Sequence, residues 1–138
     1  MRFMVIVKAN KDSEAGILPS TDLLERMGRF NEEMAKAGVM LAGEGLQASS
    51  KGARIKFSGS ERSVTNGPFP ETEQLVAGFW LIRTRSKEEA IDWMKRAPFQ
   101  DGELEIRQIF EAEDFGAALT PELKDTERRT REELAAKP

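Results

Sequence analysis

Gly78-Phe79-Trp80-Leu81-Ile82-Arg83-Thr84, followed at once by Ser86-Lys87-Glu88-Glu89, is the passage that decides the fold. Phe79 to Ile82 are apolar on both faces of an extended chain, the strongest strand signal present. The Ser-x-x-Glu behind them reads as a capping box that starts a helix. Ala90, Ile91, Trp93, Met94 and Ala97 give that helix a buried face, and Pro98 stops it. Leu104-Glu105-Ile106-Arg107-Gln108-Ile109-Phe110 then reads as the last strand. Upstream, Ala53-Arg54-Ile55-Lys56-Phe57 and Arg62-Ser63-Val64-Thr65 alternate apolar and polar positions around Ser58-Gly59-Ser60-Glu61, which predicts a hairpin with one wet face. Before it, Val39-Met40-Leu41-Ala42 gives a short strand that the glycines of Gly43-Glu44-Gly45 are expected to end in a turn.

The first forty residues repeat the same grammar. Phe3, Val5 and Val7 alternate with Met4 and Ile6, so residues 2–8 form a strand apolar on both sides, suited to the middle of a sheet. Pro19-Ser20-Thr21-Asp22 supplies caps for a helix in which Leu23, Met27, Phe30 and Met34 recur at helical spacing before Gly38. The order is β-α-β, a hairpin, then β-α-β. That is an α+β chain with the split βαβ pattern of ferredoxin-like folds and an inserted hairpin. Helices would cover one sheet face only. The two strands that are apolar on both sides need a cover on the other, and homodimerisation is the economical one.

Composition narrows the chemistry. The 138 residues contain no Cys, His or Tyr, so a thiol nucleophile, a Ser-His-Asp triad and a His-ligated metal are all excluded. Proton transfer would fall to Asp, Glu, Lys, a hydroxyl assisted by them, or water. No stretch approaches the roughly 20 apolar residues of a membrane helix, and the lack of Cys is compatible with a cytoplasmic location. With 21 Lys+Arg against 24 Asp+Glu, dispersed rather than striped, the net charge of −3 offers no footprint for direct nucleic-acid binding. No cofactor motif stands out: Gly43-Glu44-Gly45 is too short for a dinucleotide fingerprint, and no spacing specifies a metal. Thr120-Pro121-Glu122 opens a terminal helix made mainly of charged residues.

Residues 65–82, Thr65-Asn66-Gly67-Pro68-Phe69-Pro70-Glu71-Thr72-Glu73-Gln74-Leu75-Val76-Ala77-Gly78-Phe79-Trp80-Leu81-Ile82, closely resemble the signature of the DGPF branch of the YCII-related family. Ala42-Gly43-Glu44-Gly45-Leu46 is similar to a second stretch of that family. The resemblance spans about residues 1–112 and implies a fold of the dimeric α+β barrel type, with a cleft beside the signature loop. Residues 1–115 would be the family domain and 116–138 a charged extension. An enzymatic role has been inferred for the wider family from a recurring His and Asp, and some DGPF members are associated with extracytoplasmic-function sigma factors. This chain departs from the pattern: it has no His, Asn66 stands for the signature Asp, Glu73 for the Lys, Gln74 for the Glu and Ala77 for the first Gly.

Two functions follow as expectations. The first is binding of a small molecule beside the signature loop, with carboxylate acid/base chemistry as an option. The second is a non-catalytic regulatory or interaction module linked to sigma-factor-dependent transcription. For the first, Glu44, set between two glycines, and Glu71, behind Pro68 and Pro70, are the candidate catalytic carboxylates, expected to share a pocket and to raise one another's pKa. Asn66, Gly67, Pro68, Phe69 and Arg83 are the candidate ligand contacts. Asn66 can orient a ligand but cannot act as a base, because an amide does not titrate. Asn66-Gly67 alone suggests a tight turn using positive φ. Arg83 and Arg85, two apart on one strand face, suit a carboxylate or phosphate.

Overall fold

A computed structural model describes all 138 residues, with every side chain placed except that of Glu73. The chain runs β1 (Arg2–Lys8), α1 (Lys11–Glu14), α2 (Thr21–Lys36), β2 (Met40–Gly45), β3 (Ala53–Ser58), β4 (Glu61–Asn66), β5 (Val76–Arg83), α3 (Lys87–Met94), β6 (Leu104–Gln108) and α4 (Pro121–Ala136). Three 3-10 turns lie at Ser49–Lys51, Thr72–Gln74 and Ala112–Ala118. Two compact units result, Met1–Gln108 and Ile109–Pro138.

In the first unit, four strands form an antiparallel sheet of order β2-β5-β1-β6, and β3 and β4 pair separately as a hairpin. β1 is central, as its two-sided pattern requires. Its register with β5 sets Phe3 opposite Ile82, Met4 opposite Leu81, Val5 opposite Trp80 and Ile6 opposite Phe79. Opposed residues share a face and neighbours alternate, so Phe3, Val5, Trp80 and Ile82 point one way. They join Phe30 and Met34 of α2 and Ala90 and Met94 of α3 in the buried core. Met4, Ile6, Phe79 and Leu81 point the other way, half-buried and outside that core.

Trp80 ties the layers together. Its indole N–H donates to Asn31 Oδ1 on α2 at 2.9 Å, and its ring meets Phe30 edge-on at 5.9 Å between centroids, an aromatic pair of about 0.5–1.5 kcal/mol beyond its burial. The same indole explains Gly43. β2 does not turn at its glycines but runs through them to Gly45, with Gly43 opposite Trp80, where a Cβ would stand 2.7 Å from Trp80 Cδ1. The glycine is there for a close approach within a strand.

The helix caps follow the sequence with one exception. Ser20 Oγ accepts from Leu23 N–H at 3.1 Å, a cap of about 1 kcal/mol. Ser86 Oγ accepts from Glu89 N–H, but Glu89 bonds Arg85 rather than closing a capping box. β6 also stops at Gln108. In the second unit, Phe110 stacks on Phe115 at 4.9 Å, and Thr120 caps α4. α4 buries no residue. Its i,i+3 and i,i+4 pairs, Arg128 with Asp125 and Glu132, Arg129 with Asp125 and Arg131 with Glu127, supply its side-chain support. No helix among the described residues is long and apolar enough to cross a membrane.

Candidate functional site

The loop after β4 is held against the turn that precedes β3. Gly67 N–H donates to Gly52 O at 3.0 Å, and Phe69 N–H donates to Ser49 Oγ at 3.0 Å. The Ser49 hydroxyl donates in turn to Glu14 Oε1 at 2.5 Å, while the Ser49 backbone N–H donates to Glu14 Oε2 at 2.9 Å. One carboxylate at the end of α1 therefore fixes Ser49 twice, and Ser49 fixes the loop. The peptide between Gly67 and Pro68 is cis, and neither Asn66 nor Gly67 has positive φ. Asn66 is instead the last residue of β4, opposite Ala53. Gly67 is required because a Cβ there would lie 1.8 Å from the Ser49 carbonyl oxygen.

On the other side of the loop, the Arg54 guanidinium lies over the Phe69 ring at 3.9 Å and pairs with Glu71 at 3.0 Å. The hydrogen bond from Arg54 holds the Glu71 carboxyl below the usual glutamate value. This is the reverse of the upward shift expected from a second carboxylate: the nearest partner of Glu71 is a cation, which favours the charged form.

Beside Phe69 opens a concavity of about 340 Å³. Leu46, Leu75 and Val76 line it with the Phe69 ring, and Glu14, Ser49 and Lys51 give it a polar side. Of the residues expected to contact a ligand, Phe69 borders this space and Gly67 and Pro68 carry it there. Asn66 is exposed and does not line it. Glu44 lies on β2 opposite Phe79, exposed, and does not line it either. Arg83 ends β5 seven residues beyond Val76, roughly 23 Å along the strand, and so is out of reach. Arg85, expected to act with it, pairs with Glu89. Among the described residues, no group of three or more His, Cys, Asp or Glu is placed to hold a metal ion.

The YCII-related domain family matches residues 1–113. The chain belongs to that family. It is 27% identical over 90 residues to an uncharacterized protein of Rhizobium meliloti (strain 1021), a stretch covering 63% of this chain and 73% of that one. Among solved structures, it is similar to 5-chloro-2-hydroxyhydroquinone dehydrochlorinase (TftG) from Burkholderia phenoliruptrix AC1100 in complex with 2,5-dihydroxybenzoquinone, at 15% identity and a TM-score of 0.37, over 80% of this chain and 96% of that one.

Within this YCII-related domain, Glu14 and Ser49 are the site residues that sequence reasoning missed. The Asn10 cap and its reciprocal bonds with Ser13 place α1, but a helix of four residues shows no periodicity. Ser49 lies 35 residues from its carboxylate partner, and no local pattern marks such a pair.

Proposed function

We propose that this YCII-related protein binds a small molecule in the concavity beside its signature loop, on a ferredoxin-like scaffold that pairs with a second copy through the open face of its sheet. The observation that carries the binding reading is the concavity itself. At about 340 Å³ it falls at the lower end of small-molecule sites, and it combines apolar walls from Leu46, Phe69 and Leu75 with a few fixed polar groups. Among the described side chains Glu14 is the carboxylate that borders it, so proton transfer to or from a bound molecule would fall to Glu14 or pass through the Ser49 hydroxyl. Lys51 adds a donor that favours a ligand carrying a carbonyl, phenolate or carboxylate oxygen.

The pairing reading rests on the sheet face made by Met4, Ile6, Phe79 and Leu81. At one end of this face Arg2 stands opposite Arg83, and Arg107 opposite Met4. Toward the other, Glu44 stands opposite Phe79, and Glu105, opposite Ile6, is paired within the chain with Lys8 and Arg107. A two-fold axis lying between two such faces and perpendicular to β1 stacks them with the Arg2–Arg83 end of one copy over the Glu44 end of the other.

Thermal-shift screening of small aromatic and carboxylic compounds, followed by calorimetric titration, tests the site. A ligand that stabilises the parent protein should lose at least about tenfold in affinity on Phe69→Ala and on Glu14→Gln. Binding that both substitutions leave unchanged would place the ligand elsewhere.

A further inference from the structure

The β3–β4 hairpin stands clear of the body of its unit: every residue of both strands is exposed. Its register sets Ile55 opposite Val64 and Phe57 opposite Arg62, so one face carries Ile55, Phe57 and Val64 in a row, at 57%, 68% and 62% exposure. Arg54, Lys56 and Ser63 occupy the other face. A lone two-stranded hairpin is marginally stable in water, and the only cover its three large apolar side chains find within the described residues is the Arg62 guanidinium, 4.7 Å from the centre of the Phe57 ring. Six residues per strand give the arm a reach of roughly 20 Å.

Its charge says what covers it. From Ala53 to Asn66 the hairpin holds Arg54, Lys56 and Arg62 against Glu61 alone, a net +2 on a chain whose total is −3, which leaves −5 on the remainder. A basic arm with an apolar face therefore complements the rest of its own sequence, and because the hairpin does not fold back on its own body, the complementary surface is that of another copy. We infer that the β3–β4 hairpin is an assembly arm whose Ile55, Phe57 and Val64 row packs on a second copy of this chain. The inference rests on the paired reading above and extends its interface. The arm is also wired to the site: β3 carries Arg54, which holds Phe69 and Glu71, and its base is bonded to the signature loop through Gly52 and Gly67. Docking the arm then fixes the loop that walls the concavity.

The test is sedimentation of the full chain over a micromolar to nanomolar dilution series, comparing the parent with Phe57→Thr, Val64→Thr and Leu81→Glu. Threonine keeps strand propensity at the exposed hairpin positions, and circular dichroism checks that Leu81→Glu folds. The expected result is self-association of the parent that weakens by roughly tenfold or more in each hairpin variant. Loss of association in Leu81→Glu with none in the hairpin variants would overturn the arm and leave the sheet pairing standing. The reverse pattern would support the arm and remove the sheet pairing, and a monomeric parent would overturn both. Because the chain has no cysteine, a nitroxide on Ser63→Cys reports the arm alone, from its polar face. Its spectrum should be immobilised at high concentration and mobile on dilution. A spectrum that is mobile throughout while the parent self-associates would sink the inference.

Discussion

Gly67 packs against the carbonyl oxygen of Ser49 so closely that a Cβ on residue 67 would stand 1.8 Å from it, with the Ser49 carbonyl carbon at 2.6 Å and Ser50 N at 3.2 Å. All three are backbone atoms, which cannot move aside as a side-chain tip can. Two loops 18 residues apart in sequence are thereby locked face to face, with Phe69 on one and Ser49 on the other bordering the same concavity. Gly67→Ala is expected to destabilise the first unit by about 1–3 kcal/mol or more, the usual cost of overpacking, and to lower Tm by at least about 4 °C. Unchanged thermal unfolding would show that the approach is looser than described.

Ser49 serves two partners with one hydroxyl, donating to Glu14 and accepting from Phe69 N–H. Ser49→Ala leaves a part-buried carboxylate oxygen and a backbone N–H without that partner, at a cost on the order of 1–3 kcal/mol. Glu14→Gln offers an amide N–H₂ where one Ser49 donor now finds an oxygen, so it too should destabilise. Because both changes break the same connection, the double variant should cost clearly less than the sum of the singles. Additive losses in urea unfolding would mean that Glu14 and Ser49 act independently.

The elements that the sequence reveals are those whose own periodicity encodes their burial. Phe3 and Val5 alternate with Met4 and Ile6, and Leu23, Met27, Phe30 and Met34 recur every turn, because each strand or helix meets one core along its length. The site lacks such a signal. Gly43 and Gly67 look alike as letters and as turn formers, yet one admits the Trp80 indole inside a strand and the other admits a backbone carbonyl from a distant loop. Arg54 explains why the direction of the Glu71 pKa shift is not legible in the sequence: the residue that sets its charge state is 17 positions away and comes near only through the hairpin. Phe69 was legible as a loop anchor, while Glu14 and Ser49 were not, since their pairing exists only once α1 and the β2–β3 connection are side by side.

Deleting residues 120–138 removes α4, whose residues are all more than marginally exposed and whose ion pairs are internal to the helix. Exposed i,i+4 pairs contribute about 0.3–0.5 kcal/mol each, to the helix itself. The truncated chain should therefore unfold within roughly 8 °C of the parent, the largest shift that about 1 kcal/mol produces in a domain of this size. A greater fall in Tm would show that α4 contributes to the stability of the rest.

The Arg54–Glu71 pair makes a pH-dependent prediction with a definite sign. The hydrogen bond from Arg54 holds the folded-state carboxyl below the ordinary glutamate value of 4.5. A carboxyl whose folded value is depressed stabilises the fold at all pH above its unfolded value, and that contribution disappears as pH falls through the folded value. The contact is therefore intact at neutral pH and lost only in acid, below 4.5. Carbon-detected NMR of the Glu71 carboxyl should show a midpoint under 4.5 in the parent, moving up in Arg54→Ala. Arg54→Lys separates charge from geometry: a lysine keeps the positive charge but cannot stack a planar group on Phe69, so it should leave the midpoint partly lowered while freeing the ring. If the loop is held by stacking as well as by charge, Phe69 signals will broaden in both variants. An Arg54→Ala midpoint equal to that of the parent would show that another group sets the Glu71 charge.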